Sequence, residues 1–471
     1  MFETLLDGAG RMAGELMEGR IRLGVTGLSR SGKTVFITAL VDHLLNPSRL
    51  PLLTARAEGR LHAALLRPQP DPQVPRFDYE TAHAAINGLS GNASWPPGTT
   101  RLSELRLSLR YRPRALWRQW GSDAVLNLDI YDYPGEWLLD LPMLRQDFAA
   151  WSAQTFHIMH GGERRTLAAP FLEALQTVEA GEPANEAVAA DLARRYTAYL
   201  VACRASTLPF SHLQPGRFLV PGEAEGAPML TFAPLIPAAF EPGRGSLWRL
   251  MEGRYEAYKA RLVKPFFETV FTRLDAQVVL VDLLDHLKAG PASVRDLASA
   301  ITEILDCFRH GSNSFLASLL GPLWRPRVEK LLFAATKADH LPRDMHAAYG
   351  GLLAAMVAEA RRKADFNGAA TAAMAIASVR ATQEADVTRD GETLRCVTGT
   401  PLGGGPPVAA FAGTLPASLS EADLAAASAA GQFSSISFAP PPRAGLVAPG
   451  EPLPHLGLDR ALQFLIGEAL A

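Results

Sequence analysis

Residues 27–34 read GLSRSGKT, two glycines five apart followed at once by a lysine and a threonine. The chemistry such a run can perform is phosphate binding. Glycines let the backbone curl until its N–H groups converge, and the Ser29, Arg30, Ser31, Gly32 and Lys33 amides would then cradle a β-phosphate. Lys33 would reach the β- and γ-phosphates, and the Thr34 hydroxyl would ligate Mg²⁺. The alternative is an ordinary strand-to-helix turn. Context favours phosphate: "IRLGVT" ahead of the run alternates Ile21, Leu23 and Val25 as a strand does, and "TVFITALVDHLL" behind it reads as a buried helix ending at Asn46-Pro47. A helix N-terminus adds a positive dipole end to the amides.

A phosphate loop needs a metal-organising acid at the end of a second strand. "AVLNLDIYDYPGEW" alternates Leu126, Leu128 and Ile130 and then gives Asp132-Tyr-Pro-Gly135. Asp132 would hold Mg²⁺ through water, and the Gly135 N–H would meet the γ-phosphate. Asp129 competes, but three residues away it points to the opposite strand face. A Mg²⁺-sensing threonine is expected ahead of this strand, where Thr99 and Thr100 stand, and Thr100 is the choice. Two residues compete for catalysis. Glu136 would orient or deprotonate a water, or simply face solvent; Arg30 would serve as an arginine finger in place or across a homodimer, or form an outer salt bridge.

Base choice requires another carboxylate. "EKLLFAATKADHLP" supplies a strand followed by Thr336-Lys337-Ala338-Asp339, in which Asp339 would accept from the two donors of guanine and the Lys337 stem would lie over the ring. The alternative is a helix start capped by Thr336 or Asp339. A further strand in "AAMAIASVRAT" brings Ser378-Val379-Arg380 to its end, where a backbone N–H of Ser378 or Val379 would approach the guanine O6.

The elements that carry these residues are alternating strands and helices. They predict an α/β fold with a mostly parallel sheet and helices on both faces. The spacing is far wider than a minimal domain requires, because about 200 residues separate Asp132 from Asp339. Residues 137–271 are mainly helical in pattern and read as an insertion into a P-loop domain formed by 21–136 and 272–382. A Pro-rich insertion spans 46–98, an amphipathic N-terminal helix 1–20, and a C-terminal extension packed on the domain 383–471. The 46 basic and 48 acidic side chains nearly cancel, so no global field points to nucleic acid or anionic lipid. Three cysteines, Cys203, Cys307 and Cys396, are too few and too scattered for a disulfide framework, which fits a reducing cytoplasm. No window is long and apolar enough for a membrane span. Six arginines between Arg101 and Arg118 form a hairpin stripe, read as a solvated edge or a patch for a partner.

With these residues in view, the sequence resembles the YcjX family of bacterial P-loop proteins, known as stress-associated GTPases. The resemblance runs through "GLSRSGKTVFITAL", "IYDYPGEWLLDLPML", "YEAYKARLVKPFF", "QVVLVDLL", "TKADHLP" and "PLPHLGLDRALQFLIGEAL". It implies a Ras-like P-loop domain with a helical insertion, GTP/GDP and Mg²⁺ binding, a cytoplasmic location, and a link to an inner-membrane partner protein. Residue by residue it carries over to Gly32, Lys33 and Thr34 for phosphate and metal, to Asp132 and Gly135 for sensing the γ-phosphate, and to Lys337 and Asp339 for guanine. Thr336 departs from the commoner Asn. The sequence thus predicts a GTP-hydrolysing switch, with an ATP-using enzyme of the same fold and a nucleotide-stabilised scaffold as the alternatives.

Overall fold

The computed structural model describes residues 18–27, 31–89, 92–114, 123–236, 242–307, 328–389, 391–429, 436–441 and 452–471. Its centre is a seven-stranded sheet. In chain order the strands are β1 (Glu18–Gly27), β2 (Leu61–Arg67), β3 (Ser103–Tyr111), β4 (Ala124–Asp132), β5 (Ala276–Val281), β6 (Lys330–Ala335) and β7 (Ala370–Ala375), arranged β2-β3-β4-β1-β5-β6-β7. From β4 to β7 every neighbouring pair is parallel; β3 runs antiparallel to both β4 and β2. Strand β1 starts three residues before Ile21, because Glu18, Gly19 and Arg20 pair with Val125, Leu126 and Asn127. The expected helix through residue 20 therefore gives way to strand at its end, and residues 1–17 lie outside the described ones.

Parallel strands buried on both faces must be apolar on both, and the two cores divide accordingly. On one face Leu23, Val25, Leu107, Leu128, Val278 and Leu332 meet Phe36 and Leu40 of the helix Lys33–Leu45 and Leu462, Leu465 and Ile466 of the helix Leu458–Ile466. Burying each such side chain contributes ~1.5–3 kcal/mol, so the last turns of the chain are a working layer of the fold. On the other face Tyr133, Val281 and Phe333 meet the helix Pro291–Cys307 through Leu297 and Ile301 and the helical insertion through Trp151, Tyr255 and Phe266. A separate three-stranded antiparallel sheet, β8 (Gln383–Arg389), β9 (Glu392–Gly399) and β10 (Val408–Ala410), follows in the C-terminal part.

The arginine stripe is not an edge. β3 lies between β2 and β4, and β2, a strand the Pro-rich segment 46–98 did not advertise, takes the border. Arg106 faces Asp129 across the ladder and clasps it in two bonds of 2.6 and 2.8 Å, while Arg20 holds the same carboxylate from β1. Asp129 is fully buried, so this clasp satisfies a charge that burial would otherwise penalise. Among the described residues no helix is long and apolar enough to cross a membrane.

The insertion is tied to the sheet domain by charge as well as by aromatic packing. His212 bridges Asp296 (3.0 Å) and Glu303 (3.2 Å) on the helix Pro291–Cys307, and Arg164 joins Asp296 at 3.1 Å. Burial pulls the His212 ring down, but its two carboxylate bonds outweigh that and lift it to about 9. A histidine raised in the folded state contributes fully below its ordinary value of 6.5 and loses that contribution as pH climbs through about 9. Urea denaturation should show stability falling across this window by about 3 kcal/mol, and His212→Ala should flatten the fall.

Candidate functional site

The motifs converge because parallel strands end together. β1 ends at Gly27, β4 at Asp132, β5 at Val281, β6 at Ala335 and β7 at Ala375, all on one edge of the sheet, where ligands of such folds bind. Register brings the two strand ends together: Val25 sits beside Asp132, two residues before β1 ends at Gly27.

Gly32 adopts φ 81, which a side chain would strain, and no side chain caps the helix that follows. Its first N–H groups are thus left for an anion. Gly27 is confined differently: a Cβ there would lie 2.0 Å from Ser31 Oγ. Ser29 and Arg30 fall outside the described residues. Lys33, only 8% exposed, forms an ion pair with Asp132 at 2.8 Å and donates to the Tyr133 carbonyl. Burial draws the Lys33 ammonium below the ordinary lysine range and pushes the Asp132 carboxyl above the ordinary carboxylate range, each opposed by the other's charge. The phosphate end of the site is therefore a dry place with one cation and one anion in contact.

Around this pair the hydroxyls take definite places. Thr99 Oγ1 donates to Asp132 at 2.8 Å, whereas Thr100 is exposed. Thr100, the expected choice, does not meet Asp132 here: in extended chain adjacent residues face opposite sides, so only one of the two threonines can meet the acid. Thr34 Oγ1 donates to the Pro97 carbonyl at 3.3 Å, which lays the 97–99 segment against the helix start. Gly135 is buried and opens a helical run through Arg145. Glu136 is 8% exposed, so it does not face solvent; its carboxylate lies 3.6 Å from Arg204 of the insertion helix Glu186–Ala205.

The base half is built by β6 and β7. Thr336 continues β6, its N–H donating to the Val281 carbonyl at 2.9 Å, and Tyr349 fixes the Thr336 carbonyl from below at 3.0 Å. Lys337 takes the left-handed φ of 59, a conformation bulky residues avoid, and its ammonium binds Asp282 at the end of β5. Asp339 is 4% exposed and accepts from the Ala381 N–H at 2.8 Å, two residues beyond Val379. Ser378 and Val379 are both buried beside it, in a loop held by the Ala377–Leu456 bridge and by Arg380 N–H on the Pro454 carbonyl at 2.7 Å. Asp282, Arg204 and Thr99 were not assigned these places from sequence. Thr99 stood beside the chosen Thr100, and Asp282 left a trace as the acid that closes the apolar run "AQVVLV". A groove lined by Thr54, Arg60, Lys330 and Phe464 lies at the opposite ends of β6 and β7, with Arg60 and Lys330 already paired to Glu58 and Glu468. It does not compete with the motif edge.

One loop of the insertion packs directly on the run that Gly135 opens. Gly216 lies so close to Glu136 that a Cβ would stand 1.9 Å from the Glu136 carbonyl oxygen, and its N–H donates to the buried Asp140 at 2.6 Å. Arg217 stacks on Trp137 with its guanidinium 3.7 Å from the ring centre, and Trp137 Nε1 donates to the Val220 carbonyl at 2.9 Å. Burial raises Asp140 to about 6, offset by donation from Tyr258 and Gly216.

Comparison with known proteins follows the same outline. The model of the YcjX-like family, DUF463, matches residues 21–470. The Ras-like GTPase YcjX of Escherichia coli (strain K12) is 38% identical over 469 residues, covering 96% of this chain and 96% of that protein. The Ras-like GTPase YcjX of Shewanella oneidensis (strain ATCC 700550 / JCM 31522 / CIP 106686 / LMG 19005 / NCIMB 14063 / MR-1) is 36% identical over 469 residues, covering 96% and 94%.

The Gly216 contact yields a direct check. Gly216→Ala should force its loop off Glu136, cost about 2 kcal/mol in urea denaturation and speed amide exchange across 135–145 relative to the remainder of the sheet edge.

Proposed function

The chain belongs to the YcjX-like family, and from that premise we propose that it binds GTP with Mg²⁺, hydrolyses it to GDP and phosphate, and uses the cycle as a switch. The reading is carried by one observation: Lys33 of the phosphate loop, Asp132 and Thr99 meet in one dry cluster at the carboxyl edge of β1 and β4. The names of the relatives, both Ras-like GTPases, support the guanine assignment, as does a buried Asp339 at the end of β6.

The donor set suits Mg²⁺. It is a hard, small ion that takes one or two carboxylates plus hydroxyls and phosphate oxygens, and Asp132, Thr34 and Thr99 offer that kind of oxygen and no soft ligand. Those residues would hold the ion, which when bound would neutralise phosphate charge. Lys33 exchanges Asp132 for the β- and γ-phosphates, and the loop amides from Ser31 to Lys33 bind the β-phosphate. Glu136 orients the attacking water, and the Gly135 N–H meets the γ-phosphate. At the other end Asp339 leaves the Ala381 N–H to accept from guanine, the Lys337 stem covers the ring, and the Ser378–Val379 backbone lies near O6. The stress role and an inner-membrane partner rest on the family resemblance alone.

Switching follows from contact. Gly135 opens the run that Gly216, Arg217 and Val220 hold, so a γ-phosphate that moves Gly135 must move the insertion loop or break with it.

Asp339→Asn should weaken GTP binding roughly a hundredfold and shift preference toward xanthosine nucleotides, since the reversed amide pattern no longer suits guanine. Competition binding with GTP, XTP and ATP measures it, and unchanged selectivity would exclude the guanine assignment. Hydrogen exchange across residues 137–270 should differ between the GDP and non-hydrolysable GTP complexes; identical profiles would sink the switch.

A further inference from the structure

Phosphoryl transfer needs positive charge over the γ-phosphate beyond what a P-loop lysine supplies, and the Glu136 carboxylate beside Gly135 makes that need more acute by adding a negative charge. Glu136 lies close enough to Lys33 to act on its charge, so whatever neutralises Glu136 stands at the phosphate end of the site.

The group that does so comes from the insertion. Arg204 occupies the last turn of the helix Glu186–Ala205, and its Nη2 lies 3.6 Å from Glu136 Oε1 while Nη1 donates to the Leu219 carbonyl at 3.4 Å. Both distances exceed the ~2.7–2.9 Å of a tight charge-assisted bond. The side chain is 41% exposed. It lies at the rim, beside the run that Gly135 opens. Arg217 contrasts with it: 7% exposed, it is stacked at 3.7 Å on Trp137 of the run that carries Glu136. The Gly216 contact with the Glu136 carbonyl fixes the registry between the two segments, so the end of the Arg204 helix keeps its distance from the phosphate-sensing run.

We propose that Arg204 is a catalytic residue, an arginine finger built into the chain and supplied by its helical insertion. This deepens the GTPase reading and rests on it. In the reaction the water oxygen bonds to the γ-phosphorus and the bond from that phosphorus to the bridging oxygen breaks. The electron pair leaves on the β-phosphate of GDP, and the water's proton ends on the inorganic phosphate. Arg204 turns from Glu136 onto the γ-phosphoryl oxygens as charge builds on them, which frees the Glu136 carboxylate to hold the water. The insertion is then part of the active site as well as a reporter of its occupancy.

The test is single-turnover GTP hydrolysis by the full chain and its Arg204→Ala, Arg204→Lys and Arg204→Ala/Glu136→Gln variants, with GDP affinity and binding of GDP plus aluminium fluoride measured alongside. Arg204→Ala should slow the chemical step by about a hundredfold or more while GDP affinity stays within about threefold. Lysine should restore little, since an ammonium lacks the planar fork. The wild type should bind GDP with aluminium fluoride and Arg204→Ala should not. Hydrolysis by Arg204→Ala at the wild-type rate overturns the proposal and leaves the GTPase reading standing. A loss that disappears when Glu136→Gln is added also overturns it, because Arg204 would then only screen the acid. A wild type that binds GTP and never hydrolyses it overturns the GTPase reading, and the finger with it.

Discussion

Everything at the functional edge depends on keeping an ammonium and a carboxylate in contact where water is scarce. Lys33 and Asp132 are 8% and 3% exposed, and neither would be tolerated there alone as a charge. Such a pair returns little net stability, because the attraction is largely cancelled by lost hydration. What it provides is a pair of opposite charges already desolvated and held in contact at the edge of the sheet. The strand register supports the contact: β1 and β4 lie side by side with Val25 opposite Asp132, and Lys33 opens the helix that follows β1.

The same edge explains why the insertion sits where it does. It leaves the domain immediately after Gly135 and returns to the run it left, through Gly216 on Glu136, Arg217 on Trp137 and Tyr258 on Asp140. A second attachment lies farther away, in the charged cluster of Arg164, His212, Asp296 and Glu303. One attachment is on the run that Gly135 opens and the other on the helix Pro291–Cys307, so the insertion is held to the sheet domain at two separate points.

Much of this was legible before any coordinates. The phosphate loop, the Asp132-to-Gly135 turn and the Thr336-to-Asp339 turn each declare themselves by a strand pattern followed by a fixed set of residues, and each lies at the end of its strand. Other features were hidden for stated reasons. Thr99 and Thr100 differ only by which way an extended chain turns them. β2 carries a broken alternation because a register shift between Leu61 and Ala63 sets two of its residues against one of β3. The arginine stripe read as an edge because pairing with Asp129 on a neighbouring strand leaves no local mark.

Sequence by itself determined the local devices: where backbone must curl, where helices start, and which side chains of suitable chemistry stand at strand ends. These follow from spacing within a few residues, since glycine freedom, helix period and strand alternation act at that range. Tertiary structure alone decided the partnerships, Lys33 with Asp132, Asp129 with Arg106, Lys337 with Asp282 and Glu136 with Arg204. An ion pair or hydrogen bond extends only a few ångströms, so which distant residues share one is settled by how strands order and how the insertion folds back, and no local pattern encodes that.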